Sequence, residues 1–217
     1  MNREVVVLSA VRSAIGSFGG GLSGIEPGEL GGQVMKEAVA RSGVDAADIN
    51  YVTVGNCIPT DSRFAYVARV AAINAGLPME SVAMAVNRLC SSGLQAIVST
   101  SQAIMLGDCD YGIGGGVEVM SRGSYMAPAM RSGARMGDTK MIDMMVATLT
   151  DPFGVGHMGI TAENLVTKWG ITREEQDALS VESHRRAAFA IAEGRFKSQI
   201  VPIVMQTRKG EVIFDTD

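Results

Sequence analysis

The sequence predicts an α/β fold in which a mostly parallel sheet is flanked by helices, followed by an irregular, methionine-rich region. Along the first 119 residues, short apolar runs alternate with segments of helical periodicity, a rhythm typical of parallel strands joined by crossover helices. Hydrophobic residues make up 47% of the 217-residue chain and charged residues 19%, which is ample material for a core. We therefore predict an α/β domain at residues 1–119 and a loop domain at 120–217.

The elements of the α/β domain are indicated by their apolar patterns and by the residues that stop them. The Val-rich run at 3–11 reads as a buried strand. Pro27 starts a helix that Gly43 ends, because proline suits the first helical position and glycine the position after the last. In order, we predict strands at 3–11, 51–54, 81–87 and 110–118, and helices at 27–42, 62–75 and 93–107.

The texture changes near residue 120, where no clear strand is predicted. Residues 120–158 hold eight of the fourteen methionines, which we interpret mainly as core packing: Met120, Met126, Met130, Met136, Met141, Met144, Met145 and Met158. Thr172 and Glu175 form a capping box that opens a helix reaching to about Glu193. His184 lies in that helix as a surface residue, and a hairpin at 199–205 and 211–214 is joined through residues 208–210.

Composition excludes several classes of partner. The net charge of −4, without a basic run, argues against nucleic acid. Three cysteines far apart in sequence indicate free thiols in a reducing compartment. No apolar run approaches the ~18 residues that span a bilayer, and Arg12 interrupts the Val-rich start before it could form a signal segment. A cytoplasmic protein without membrane contact is expected, with some apolar surface covered by another chain.

Three patterns are interpreted as structural. The glycines at 19–24 match G-x-G-x-x-G, but they follow the first strand too late and no acid follows Val54, so a dinucleotide site is rejected. His157 and His184 lack the spacing of a metal site. Glycines inside the 110–118 strand mark close backbone approach. Glu118 is expected to be a buried, hydrogen-bonded acid, since no second titrating group accompanies it.

Cys90 is the strongest candidate for chemistry. It lies in Asn87-Arg88-Leu89-Cys90-Ser91-Ser92-Gly93, between an apparent strand and an apparent helix. A cysteine just before a helix faces unpaired amide groups and the positive end of the helix dipole, which favours a nucleophilic sulfur. Position alone leaves a second interpretation open, that of a small buried hydrophobic residue.

Residues 87–96 (NRLCSSGLQA) resemble the nucleophile segment of the thiolases, the acetyl-CoA acetyltransferases. Four further segments agree with that family in order and spacing: 5–20, 114–122 (GGGVEVMSR), 135–145 (RMGDTKMIDMM) and 157–164 (HMGITAEN). The resemblance implies a thiolase-like N-terminal domain with a mixed, mostly parallel five-stranded sheet, and a loop domain that carries substrate and tetramer contacts. Thiolases have a second half with a Gly-His-Pro histidine, a Cys-x-Gly cysteine and an Asn-Glu-Ala-Phe segment, none of which occurs here. The chain thus resembles the N-terminal half, with the C-terminal half absent.

The resemblance also implies a function. Cys90 would form an acyl-enzyme from an acyl-CoA and pass the acyl group to a second acyl-CoA in a Claisen condensation; the reverse reaction is thiolysis. His157 and Met158 would contact the pantetheine and acyl part of coenzyme A, and Leu149 would lie near its adenine end. Coenzyme A thioesters are then substrates, no resident cofactor is expected, and the whole enzyme would be a homodimer or homotetramer serving fatty acid metabolism. Without the C-terminal half as partner, the chain is expected to be inactive.

Two other functions remain as alternatives. One is a non-catalytic module that binds coenzyme A or promotes assembly. The other is an α/β cysteine hydrolase, for which His157 is the available general base.

Overall fold

The computed structural model describes residues 3–208 and 210–217. Its contacts divide the chain into two compact units, Met1–Ser124 together with Gln199–Asp217, and Tyr125–Ser198. The sequence placed the boundary at 119 and grouped 199–217 with the second domain. In the structure the terminal segment belongs to the first unit, because Val201 and Ile203 pack with Leu30 and Val119 in one buried cluster.

A parallel sheet lies at the centre of the first unit. Before the chain enters the second unit, the main strands and helices of the first unit are β1 (Arg12–Ser13), α1 (Pro27–Ser42), β2 (Tyr51–Gly55), α2 (Val67–Asn74), β3 (Val82–Val86), α3 (Ser92–Leu106) and β4 (Gly112–Gly116). The three longer strands form one sheet in the order β3-β2-β4, and Tyr51 stands opposite both Val82 and Gly112. The predicted α/β architecture, with helices joining parallel strands, is confirmed.

The core forms where β2 meets the helices. Val52 and Val54 of β2 are almost completely buried, as are Ala71 and Ala72 of α2. Burying a valine side chain contributes about 1.5–3 kcal/mol, and the small alanines let α2 approach the sheet. Four of the five residues of this central strand are buried.

Helix ends follow the sequence signals closely. α1 begins at Pro27 and ends before Gly43, whose φ of 74° is left-handed. α3 ends before Gly107 with a φ of 86°. Glycine takes these angles without the steric penalty that a side chain would bring. The predicted helix at 62–75 differs, because a 3-10 turn over Phe64–Tyr66 precedes α2.

Residues 3–11, predicted as a buried strand, do not form a strand in the structure. Only Arg12–Ser13 pairs there, in parallel with Ile200–Val201, and Val6, Val7 and Leu8 are exposed. Within residues 3–208 and 210–217, the sheet has three strands and the parallel pair stands apart from it, rather than forming one five-stranded sheet. An apolar run favours an extended backbone, but a strand also needs a partner for its amide groups.

The second unit is mostly helical. It contains β5 (Tyr125–Met126), β6 (Ile142–Asp143), α4 (Met144–Thr148), α5 (Met158–Trp169) and α6 (Arg173–Ala192). β5 and β6 form an antiparallel pair that the sequence did not predict, since two residues are too few to show alternation. Six of the eight methionines at 120–158 are exposed, so the expectation that most of them fill a core was wrong: Met120, Met126, Met130, Met136, Met141 and Met158.

The capping box of α6 is confirmed. The Thr172 hydroxyl accepts a hydrogen bond from the Glu175 amide at 3.2 Å, and the Glu175 carboxylate accepts one from the Thr172 amide at 2.8 Å. His184 is exposed on this helix, as predicted. These reciprocal bonds satisfy two of the amide groups that a helix start leaves free.

The chain returns to the first unit through β7 (Ile200–Val201), β8 (Ile203–Thr207) and β9 (Gly210–Phe214). β8 and β9 form the predicted antiparallel hairpin, while Lys209 of its connecting turn lies outside the described residues. The part of the chain that the structure describes has no helix with the length and apolar character needed to cross a membrane.

Candidate active site

Cys90 lies in the turn between β3 and α3, where the sequence placed it. β3 ends at Val86, α3 begins at Ser92, and the Cys90 side chain is exposed. The interpretation of Cys90 as a buried core residue does not fit this exposure. A cysteine that is exposed and lies just before a helix can bring its sulfur into contact with a ligand.

The backbone of this turn is sharply bent at Leu89, whose φ of 51° is left-handed. A non-glycine residue pays roughly 1–2 kcal/mol in this region. The Ser92 hydroxyl holds the bend from both sides, accepting from the Arg88 amide at 2.8 Å and donating to the Leu89 carbonyl at 2.6 Å. The Asn87 side chain accepts from the Leu89 amide at 3.0 Å. These bonds fix the backbone on both sides of Cys90.

The helix α3 contributes to the electrostatic environment of the turn. The helix has 15 residues and its first turn contains no acidic side chain. The positive end of its dipole is therefore not offset locally and faces the Cys90 turn. A negative charge that develops at this place would be stabilised.

Glycines in the sheet allow α3 to lie very close to it. A Cβ atom added to Gly114 of β4 would stand 2.6 Å from the Ile97 Cα, and one added to Gly55 of β2 would collide with the Ser92 backbone. The prediction that glycines in this strand mark close backbone approach is confirmed. The start of α3, and with it the Cys90 turn, is positioned directly by the sheet.

Glu118 is the half-buried acid that the sequence predicted. Its carboxylate accepts hydrogen bonds from the Cys57 amide at 2.8 Å, the Ile58 amide at 3.1 Å and the Asn56 side chain at 3.1 Å. Burial raises the pKa of Glu118, and the amide donors oppose that rise. The carboxylate thus ties the loop after β2 to the end of β4.

Cys57 is a residue of this site that sequence reasoning missed. Its sulfur donates to the Leu89 carbonyl at 2.9 Å and lies 3.2 Å from the Ser92 hydroxyl. Burial raises the pKa of the Cys57 thiol, and the Ser92 hydrogen bond lowers it in part. The sequence held part of the signal: Cys57 follows β2 as Cys90 follows β3, and two such residues meet at one sheet edge when their parallel strands are neighbours, which the strand order shows.

A cavity of about 270 Å³ opens beside Glu118. Its wall includes Ser13, Phe18, Leu30, Met120 and Ser121. Cys90 does not line it, so this cavity is separate from the cysteine turn.

The three predicted substrate contacts come together within the second unit. The Leu149 carbonyl accepts a hydrogen bond from the Met158 amide at 2.9 Å, and Thr150 pairs with His157 in an isolated β-bridge. His157 caps α5, with Nδ1 accepting from the Gly159 amide at 3.1 Å. His157 and Met158 are exposed, and Leu149 is half-buried.

The parallel sheet, the exposed cysteine between a strand and a helix, and the second, mostly helical unit together define an α/β protein with a candidate nucleophile at its sheet edge. A family model described as the thiolase N-terminal domain matches residues 5–217. The chain belongs to the thiolase family.

Individual relatives agree with this assignment. The chain is 56% identical to beta-ketothiolase BktB of Cupriavidus necator, over 100% of this chain and 55% of that protein. It is 45% identical to the acetyl-CoA acetyltransferase of Pseudomonas aeruginosa, over 99% of this chain and 55% of the relative. The chain therefore spans about half the length of the curated relatives it matches.

Solved structures show the same fold. The Bacillus anthracis acetyl-CoA acetyltransferase superposes with a TM-score of 0.93 at 43% identity, covering 98% of this chain and 54% of that one. Human mitochondrial 3-ketoacyl-CoA thiolase gives a TM-score of 0.91 at 33% identity, covering 97% of this chain and 54% of that one.

Proposed function

We propose that this chain supplies the N-terminal half of an acyl-CoA C-acetyltransferase, with Cys90 as its nucleophile. The observation that carries the proposal is the exposed Cys90 thiol at the unopposed positive end of α3. The names of the relatives, acetyl-CoA acetyltransferase and beta-ketothiolase, support the acyl-CoA substrate class.

In the proposed reaction, the Cys90 thiolate attacks the carbonyl carbon of an acyl-CoA thioester. The tetrahedral intermediate collapses as coenzyme A leaves, and the acyl group stays on the Cys90 sulfur. The Cys90 amide is one donor to the developing oxyanion, assisted by the dipole of α3. A second acyl-CoA, deprotonated at its α-carbon by the second cysteine of the C-terminal half, then takes the acyl group and frees the Cys90 sulfur. In the reverse reaction, thiolysis, Cys90 takes the acyl group of a 3-ketoacyl-CoA as its Cα–Cβ bond breaks, the departing carbanion regains its proton, and coenzyme A removes the acyl group from Cys90.

The second unit would hold coenzyme A through Leu149, His157 and Met158. Because Nδ1 of His157 accepts from the Gly159 amide, the proton of the neutral ring resides on Nε2. The free nitrogen is then a hydrogen-bond donor, suited to a carbonyl or phosphate oxygen of coenzyme A. The same arrangement speaks against His157 as the general base of a cysteine hydrolase.

The partner in this proposal is the thiolase C-terminal half, as a further part of the chain or as a second polypeptide. The relatives are nearly twice as long as the matched region, and α3 exposes an apolar face that includes Leu94, Val98 and Met105. Contiguous exposed apolar surface of this kind marks an interaction site. The C-terminal half would supply two groups, the general base for Cys90 and the second cysteine. The 217-residue chain alone would therefore catalyse the reaction poorly. A dimeric or tetrameric assembly follows the family pattern.

The experiment compares three samples incubated with acetyl-CoA: the chain alone, the chain produced with a C-terminal thiolase half, and that pair carrying Cys90→Ala. We expect one acetyl group on Cys90 and acetoacetyl-CoA turnover in the second sample only. Cys109→Ala is the matched control, because Cys109 is buried. Acetylation that survives Cys90→Ala would contradict the nucleophile, and rapid condensation by the chain alone would contradict the need for a partner. Coenzyme A binding without acetylation would favour the non-catalytic module.

A further inference from the structure

A second thiol lies against the turn that carries the candidate nucleophile. We propose that Cys57 and Cys90 form a reversible intramolecular disulfide when Cys90 is oxidised by a hydroperoxide. This inference goes beyond acyl transfer and requires only that the Cys90 sulfur be accessible and reactive.

Cys57 is held to the Cys90 turn by both its side chain and its backbone. Its sulfur contacts the Leu89 carbonyl at 2.9 Å, and the carbon of that carbonyl is bonded directly to the Cys90 nitrogen. The Asn87 side chain donates to the Cys57 carbonyl at 3.3 Å on the other side. Bridged cysteines have Cα atoms roughly 4.4–6.8 Å apart, and a sulfur already touching the preceding peptide group is within the range of a local adjustment.

The third cysteine lacks this relationship. Cys109 follows α3, whose 15 residues extend for about 22 Å at the rise of an α-helix, whereas Cys90 precedes the same helix. Cys109 is also buried, with a relative exposure of 4%. Among the three cysteines, all within the described residues, Cys57 is therefore the thiol that can reach Cys90.

The two thiols differ in a way that assigns their roles. Cys90 is exposed and Cys57 is only partly accessible, so a soluble hydroperoxide meets Cys90 first. Burial raises the pKa of Cys57, with smaller contributions in the same direction from Glu118 and Cys90, and a less ionised thiol reacts more slowly with peroxide. Cys57 is then available as the second reactant, and its sulfur lies 3.2 Å from the Ser92 hydroxyl.

The chemistry proceeds in two balanced steps. The Cys90 thiolate attacks one oxygen of the hydroperoxide, the O–O bond breaks, an alcohol or water leaves, and Cys90 becomes a sulfenic acid. The Cys57 thiolate attacks the Cys90 sulfur, an S–S bond forms, and the sulfenic oxygen leaves as water after taking a proton. Two thiols lose two electrons in total, and the hydroperoxide gains them. A small thiol reverses the result by disulfide exchange.

The disulfide would block Cys90 and protect it at the same time. While the bond exists, the sulfur cannot attack a thioester. It also cannot advance to sulfinic or sulfonic acid, which small thiols do not reduce. Position 57 therefore converts a damaging oxidation into a reversible one.

The test uses the purified protein treated with hydrogen peroxide and then with dithiothreitol, followed by intact mass and non-reducing peptide mapping. We expect the untreated mass minus two hydrogen atoms, a peptide linking positions 57 and 90, and recovery of both thiols on reduction. In Cys57→Ser, Cys90 should instead gain two or three oxygen atoms and not recover. Cys109→Ser is the matched control and should behave like the unchanged protein.

The proposal would be overturned if the protein and Cys57→Ser lost Cys90 at the same rate with no linked peptide. Thermal unfolding of Cys57→Ser verifies its folding, and Cys57→Ala gives the same test with a smaller side chain should the serine variant unfold. Because the readout is mass and not acyl transfer, a protein that never becomes acetylated can still form the disulfide. Failure of the proposed enzymatic function and failure of this inference are thus distinguishable.

Discussion

The hydroxyl of Ser92 donates to the carbonyl of Leu89 across 2.6 Å, joining the first residue of α3 to the left-handed residue just before Cys90. The same oxygen accepts from the Arg88 amide. One side chain therefore holds both peptide groups of the bend, and the conformation of the candidate nucleophile's turn depends on it.

Replacing Ser92 with alanine should lower the free energy of unfolding by about 1–3 kcal/mol, because it leaves the Arg88 amide without the hydroxyl that accepts from it and removes the short bond to the Leu89 carbonyl. Urea denaturation measures the change. Ser91→Ala is the matched control: Ser91 is the N-cap residue of α3, but its side chain makes no capping bond, so its effect should stay within about 0.5 kcal/mol. Equal losses for the two serines would contradict the role assigned to Ser92.

Adjacent glycines of β4 should respond in opposite ways to alanine. Gly114→Ala places a Cβ 2.6 Å from the Ile97 Cα, which forces α3 away from the sheet and should destabilise the protein by about 1–3 kcal/mol. A Cβ on Gly115 meets nothing within 4 Å, so Gly115→Ala should be neutral or stabilising by about 0.4–1 kcal/mol. Thermal denaturation of the pair decides the matter, and a similar melting temperature for both variants would refute the close approach.

Glu118 should make stability depend on pH. Burial raises its pKa above the ordinary value of 4.5 in the folded protein, so the folded state holds the proton more tightly than the unfolded state. Its contribution is then fully present below the unfolded pKa and is lost as pH rises through the folded pKa. Glu118→Gln should remove this fall in unfolding free energy with rising pH. The unfolding free energy of the variant should therefore lie furthest below that of the unchanged protein at acidic pH, and the difference should shrink as pH rises.

The control for that measurement is Glu182 on α6. Hydrogen bonds from Arg185 and Arg186 lower the pKa of Glu182, which gives its contribution the opposite sign: it is lost as pH falls through the folded pKa. Urea titrations at a series of pH values compare Glu118→Gln with Glu182→Gln. A slope that Glu118→Gln leaves intact would show that burial does not perturb this carboxyl.

Two substitutions of His157 should separate its role as a helix cap from its proposed role in binding coenzyme A. His157→Ala removes the cap of α5 and should cost about 0.5–2 kcal/mol, whereas His157→Asn keeps an acceptor for the Gly159 amide and should retain most of that stability. If His157 also donates to coenzyme A, both variants should weaken binding in calorimetric titration of the protein with its C-terminal half. Binding left intact in both variants would limit the residue to capping.

Features that depend on neighbouring residues were predictable from the sequence. Pro27 and Gly43 fix the two ends of α1 through their own backbone preferences, and Thr172 with Glu175 forms its capping box within one turn. The turn at Cys90 was also predictable from the sequence, because a short apolar run ends and a helical pattern begins there. Each of these signals is complete within a few residues of chain.

Features that depend on distant partners were not predictable in the same way. Apolarity at Val6 and Val7 favours an extended backbone but does not name the strand that would pair with it, and both are exposed in this structure. The methionines near 120–158 have the same ambiguity, because flexible apolar side chains serve packed and exposed surfaces alike. The nearness of Cys57 to Cys90 required the order of the strands, which periodicity does not contain.

The position of β2 has a consequence for the newborn chain. Both neighbours of this central strand, at 82–86 and 112–116, are synthesised after it. At about 5–20 residues per second, β2 leaves the ribosome several seconds before its second edge can be paired. During that interval an apolar strand has open amide groups on the side where β4 later pairs. One edge of β2 therefore stays open to wrong pairing until residue 116 has emerged.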